Sequence, residues 1–240
     1  MNKNFLYLSL LTLVLVACRE SQPTKEVIID QIAESNQVIE TAIEAVEDVV
    51  EEVAKIDFSK FDHYGTVLTK TDLIAKFGGE NIVDNTSWYG EGSIEKQSSA
   101  ATNPDNGHIV KFIWGDDKVT TGWIESSYYN WGSDYEIKAH QLIETENGLR
   151  LGMSLADLVV WNEADFEYSG FGWDFAGGIK REEGSKITNS NILLTLMDDQ
   201  DIKDSKWDFM IGDVTLKNED KYLKDAPVLI EQMTLFIDNE

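Results

Sequence analysis

The chain has 240 residues, with 44 acids against 20 Lys plus Arg and a formal net charge of −24. A surface this acidic repels phosphates and anionic headgroups over a Debye length, which excludes nucleic-acid binding. Its single cysteine excludes an intrachain disulfide, and its apolar content is that of a chain with an ordinary packed core.

At the N-terminus Lys3 precedes an apolar run from Phe5 to Ala17. This run is shorter than the roughly 20 residues needed to cross a bilayer as a helix, so it reads as a signal peptide over residues 1–17. It ends in Leu15-Val16-Ala17-Cys18, which resembles a bacterial lipobox. The resemblance implies a diacylglyceryl group on the Cys18 thiol, cleavage between Ala17 and Cys18, and acylation of the new amino terminus. That covalent lipid is the only cofactor expected. Each buried methylene contributes about 0.8 kcal/mol, so two or three acyl chains anchor a protein where one would not. Arg19, where inner-membrane retention usually needs Asp, implies the outer membrane within this family, on its periplasmic or surface face.

From Cys18 to Asp57 the sequence predicts an acidic helical tether. Ile29, Ile32, Asn36, Ile39, Ile43, Val46, Val50 and Val53 alternate at spacings of three and four, which makes a heptad seam. Asp30, Glu34, Glu44, Asp48, Glu51 and Glu52 lie off that seam, and Asn36 within it is the kind of residue that fixes register. A free stalk helix, coiled-coil self-association through these eight positions, and a helix packed on its own globular part all satisfy the pattern. Between Glu26 and Asp57 only Lys55 offsets the acids, so salt should strengthen any self-association.

From Phe58 the texture changes to short β-rich runs divided by Gly, Asn and Asp. Thr69-Lys70-Thr71-Asp72-Leu73 and Ser154-Leu155-Ala156-Asp157-Leu158 both read as capped helix starts, the first helix ending at Phe77-Gly78 and the second near Trp161-Asn162. Strands are predicted at Asn85 to Tyr89, His108 to Trp114, Thr120 to Tyr128 and Tyr135 to Thr145. A second set is predicted at Phe166 to Tyr168, Gly177 to Arg181, Ile192 to Met197, Trp207 to Ile211 and Val228 to Ile237. The expected fold is α+β: two tandem units, 58–145 and 146–240, each a short helix packed on an antiparallel sheet, preceded by the long acidic helix.

Leu73 to Gly78, with its L-x-x-x-F-G pattern, resembles the repeats of β-lactamase-inhibitor-protein-like folds and of small outer-membrane assembly lipoproteins of the SmpA/OmlA type. The stretch Gly152 to Leu158, with Phe171-Gly172-Trp173-Asp174 after it, is similar to uncharacterised envelope lipoproteins. In the second unit Asn162-Glu163 replaces Phe-Gly. The resemblance implies a tandem fold that binds other proteins.

A catalytic constellation does not emerge. His63, His108 and His140 are widely separated, so no zinc set is expected, and neither G-x-S-x-G nor a P-loop occurs. Asp165 and Glu167 share a strand face about 6 to 7 Å apart, a spacing glycosidases use and also one that any half-buried strand shows. Asp198 to Asp204 and Asn103 to Gly107 read as acidic or Asx turns before ion sites. Tyr128, Tyr129 and Trp131 cluster, and core packing is their first explanation. A ligand surface is expected at Tyr168, Phe171, Trp173 and Asp174, where a glycine-rich aromatic loop can present rings to solvent.

The expectation is a non-enzymatic, lipid-anchored envelope protein whose partner is an envelope protein or peptide. A carbohydrate-binding or carbohydrate-processing lipoprotein is the alternative, and a structural spacer the third.

Overall fold

The computed structural model describes residues 56–237 except 174, 181–182, 201–204 and 224. The expected signal peptide over 1–17, Cys18 and the expected seam from Ile29 to Val53 lie outside the described residues, and the chain divides between Ile56 and Asp57. No described helix is long and apolar enough to cross a membrane.

Two short helices form where the caps place them. Helix α1, Lys70–Phe77, starts with a capping box: Thr69 Oγ1 accepts the Asp72 N–H at 3.2 Å, and the Asp72 carboxylate accepts the Thr69 N–H at 3.0 Å. Reciprocal bonds of this kind satisfy backbone donors that the first turn otherwise leaves open. The helix stops at Gly78, whose φ of 80° favours glycine, and buries Leu73 and Phe77. Helix α2, Leu155–Asn162, is capped by Ser154 Oγ, which accepts the Asp157 N–H at 3.1 Å, and buries Leu155 and Leu158. A third helix of one turn, α3, spans Lys186–Asn189.

Ten strands follow in chain order: β1 Ile82–Tyr89, β2 Ile94–Thr102, β3 Ile109–Trp114, β4 Thr121–Ser127, β5 Tyr129–Trp131, β6 Ile137–His140, β7 Glu167–Ser169, β8 Ile192–Asp198, β9 Thr215–Lys217 and β10 Val228–Phe236. Six form one antiparallel sheet in the order β1-β2-β3-β4-β10-β8, while β5–β6 and β7–β9 make separate ribbons. The fold is therefore α+β with a mainly antiparallel sheet. β10 pairs with β4 from Gln232↔Ser127 to Phe236↔Trp123, so strands from both halves of the globular part share that sheet.

Register shows where the core sits. Phe112 on β3 lies opposite Ile124 on β4, Ile124 opposite Leu235 on β10, and Leu235 opposite Ile192 on β8, and all four are buried. Tyr64 and Phe77 stack at 5.8 Å and close over this face, with Phe112 6.4 Å from Tyr64. α1 touches β2, and α2 touches β10. Truncating a buried phenylalanine such as Phe112 to alanine costs about 3 to 5 kcal/mol, lost transfer energy plus the cavity left behind.

Several predicted strands take other forms. β2 is absent from the expectations because Glu95 to Ser99 lacks an apolar alternation. Its buried hydroxyls are satisfied across the sheet: Ser99 accepts the Trp114 indole N–H at 3.0 Å and donates to Asp84, and Ser98 bonds Ser87 at 2.9 Å. Trp207 to Ile211, expected as a strand, falls instead largely in the 3-10 turn Ser205–Met210, and Gly178 and Ile179 make only isolated bridges. Between Tyr135 and Thr145 only Ile137–His140 is strand, because Tyr135 adopts a φ of 60° at the hairpin tip.

Candidate functional site

Two places gather chemistry-bearing side chains. The first is a crest built from residues 170–173, 175–177 and 205–214. Gly170 N–H donates to the Val214 carbonyl, Phe171 N–H to Met210, and Gly212 N–H back to Phe171, each at 2.8 Å. Gly170 has to be glycine here, because a Cβ would lie 2.6 Å from the Met210 and Gly212 carbonyl oxygens. The stapled loops expose Phe175 (68%), Ile211 (60%) and Phe209 (50%). Trp173 is half-buried, its ring 5.5 Å from Phe175 and its indole N–H donated to the Gly170 carbonyl at 2.9 Å.

The expected ligand residues are thus divided. Trp173 lies on the crest. Tyr168 and Phe171 are buried instead, at 0% and 5% exposure: strand alternation turns Tyr168 inward with Phe166, and Phe171 is held by its bridge to Ile211. Asp174 lies outside the described residues. The sequence did not single out Phe209 and Ile211: Trp207 to Ile211 reads as strand, and only the long-range backbone bonds bring it against the glycine loop.

The second place is a polar cluster on the sheet face opposite Phe112 and Ile124. Glu125 on β4 accepts the Tyr89 hydroxyl at 2.9 Å and the Trp123 indole N–H at 2.8 Å, and pairs with Lys111 at 2.8 Å. Tyr89 and Trp123 meet edge to face at 5.3 Å. Beside them burial pushes the carboxyl of Glu231 on β10 up to about 7, with Glu125 adding to the rise and Ser127 and Lys111 opposing it. Glu231 and Gln232 are adjacent polar residues in the largely apolar strand β10, at the point where its register against β8 shifts.

The remaining candidates have local partners. Glu167 sits between Lys180 and Lys217 at 2.8 and 2.9 Å, and these two ammonium groups hold its carboxyl down at about 2. Its neighbour Asp165 accepts the Asn218 amide at 3.1 Å. Both acids therefore serve the β7–β9 ribbon. Tyr129 donates to Asp199 at 3.0 Å and accepts the Gln200 N–H, which ties the aromatic pair to the turn after β8, and residues 201–204 of that turn lie outside the described residues. Asn103 donates to the Phe58 carbonyl and to the Tyr64 hydroxyl, so the 103–107 turn locks a core ring in place. His63 faces Asp57 and Glu146, His140 packs on Tyr128 and Tyr129, and burial lowers the affinity of His108 for a proton. Among the described residues no group of three or more His, Cys, Asp or Glu is placed to hold a metal ion.

An open cleft of about 280 Å³ lies between α2 and α3, lined by Asn147, Trp161, Lys186, Asn189 and Ser190. The Trp161 indole N–H donates to the Asn147 carbonyl at 3.0 Å, and Lys186 pairs with Glu163 at 2.7 Å. No family model, curated protein or solved structure matches the chain.

Proposed function

We propose that this protein is an envelope lipoprotein, acylated at Cys18 and held at the outer membrane, whose globular part binds a protein or peptide without catalysis. The crest carries this reading: two loops fastened to each other by backbone bonds expose the large apolar side chains of Phe175, Phe209 and Ile211. Exposed apolar side chains on such loops suit an interaction site, because loops on a rigid scaffold are where binding residues concentrate. The acidic seam from Ile29 to Val53 serves as the tether between lipid and domain. We further read 58–145 and 146–240 as tandem helix-plus-strand units that contribute to one sheet, a reading supported by the matching caps of α1 and α2 and by their contacts with β2 and β10.

Two experiments test this. In the full chain, Phe175→Ser and Ile211→Ser together should abolish crosslinking to its envelope partner and leave the urea midpoint unchanged, since both side chains are exposed. Unchanged crosslinking overturns the crest. Separately, Cys18→Ala should eliminate incorporation of labelled palmitate and release the protein from membranes, and labelling that persists in the variant overturns lipidation at Cys18.

A carbohydrate-binding role is the second reading, favoured by the cleft in which Trp161 lies beside the side chains of Asn147 and Asn189. Loss of glycan binding on Trp161→Ala, with the crest variant unaffected, would favour it over the first.

A further inference from the structure

The register of β10 against β8 slips at one residue, from Ile230↔Leu196 to Gln232↔Thr195, which leaves Glu231 as the extra residue of a bulge. On the other side its carbonyl accepts the Tyr128 N–H at 2.6 Å, immediately beyond the last β4–β10 pair, Gln232↔Ser127. This bulge is where strands from the two halves of the globular part are buttoned together.

The carboxyl of Glu231 lies in a cluster with too few positive charges. Glu125 and Glu231 are 5% and 8% exposed, and the one ammonium between them, Lys111, is bonded to Glu125 at 2.8 Å. Tyr89 and Trp123 occupy the other oxygen of Glu125. Among the described residues Lys111 is the cation that acts on the Glu231 carboxyl, and the β5–β6 ribbon brings His140 against Tyr128 at 5.0 Å. β8 brings Leu196 and Thr195 opposite the bulge. The 150–154 loop brings Gly152 and Met153, which bond the Ile230 backbone, and Arg150 of that loop lies 3.8 Å from Asp157. A second buried carboxylate here has no counter-ion of its own, and an unpaired buried charge is among the most costly groups a fold can hold.

We propose that the Glu231 bulge is a pH-dependent clasp between β4 and β10, closed while Glu231 keeps its proton and loosened when that proton passes to solvent. Protonated, the side chain is neutral and can stay in its buried place beside Glu125, burial outweighing the pull of Ser127 and Lys111 toward the carboxylate. Ionised, it competes with Glu125 for Lys111 or turns out to water, and either movement strains the Tyr128–Glu231 backbone bond. The direction follows from linkage. A carboxyl raised from 4.5 to about 7 contributes stability that is complete below its ordinary range and is lost as pH rises through 7.

Amide hydrogen exchange on the full chain tests the clasp. Between about pH 5.5 and 8.5, with intrinsic rates corrected, protection of the Tyr128 amide should fall about tenfold or more, the change that one unit of pKa difference drives. In Glu231→Gln, protection should not change with pH. An equal fall in that variant, or no fall in the wild type, overturns the clasp. Should Glu231→Gln fail to fold, carboxyl-carbon NMR of the wild type decides: a Glu231 midpoint near 7 supports it, and a midpoint in the ordinary carboxylate range overturns it.

Discussion

Tyr168 buries its ring completely, between Phe166 and Phe171, yet its hydroxyl has no hydrogen-bond partner among the described residues. Burial alone pushes its ionisation upward. A buried hydroxyl without a partner costs about 1 to 3 kcal/mol of desolvation, so removing it recovers part of that cost. Tyr168→Phe should therefore leave the unfolding free energy unchanged or raise it by about 1 kcal/mol. A loss larger than about 1 kcal/mol in urea unfolding would show that the hydroxyl makes a bond that matters. Gly177 behaves oppositely. Its φ is 66°, and a methyl group there would sit 1.7 Å from the Leu196 carbonyl oxygen, against the strand it closes. Gly177→Ala should destabilise by about 3 kcal/mol or more, through both backbone strain and displacement of β8. Thermal unfolding checks this, and a midpoint equal to wild type would mean that the 170–178 loop is not held against β8.

At the scale of elements, what the sequence discloses depends on whether the causes are local. Thr69 with Asp72 and Ser154 with Asp157 announce α1 and α2 because a cap is made within four residues. β3, β4, β8 and β10 are legible through their apolar runs. β2 is not, because the groups that make its serines comfortable in the interior, Trp114 and Asp84, are fifteen residues away along the chain. The crest divides in the same way: the glycine-rich loop around Trp173 is visible in the sequence, whereas its companions Phe209 and Ile211 are placed by backbone bonds from Phe171 and Gly212. For the polar cluster, Lys111, Glu125 and Glu231 lie on three strands and share no motif, so only register brings them together.

Across the whole molecule, the placement of β10 governs integrity. It lies between β4 and β8, hydrogen-bonded to both. A chain ending at Pro227 would leave two unpaired edges where the wild type has an interior, and exposed edges template association. This truncation should abolish cooperative unfolding and yield soluble oligomers by light scattering. A truncated monomer that still unfolds cooperatively would mean that the first four strands stand alone.

That interior position also sets an order of events. β1 to β4 leave the ribosome first, but the partner of β4 arrives about 100 residues later, since Ser127 waits for Gln232. Pairings so distant along the chain close slowly, because the loop entropy has to be met before the contact rewards it. The sheet therefore cannot close beside β4 until nearly the whole polypeptide has been made, although the sequence-local pairs β1–β2, β2–β3 and β3–β4 have their partners well before that.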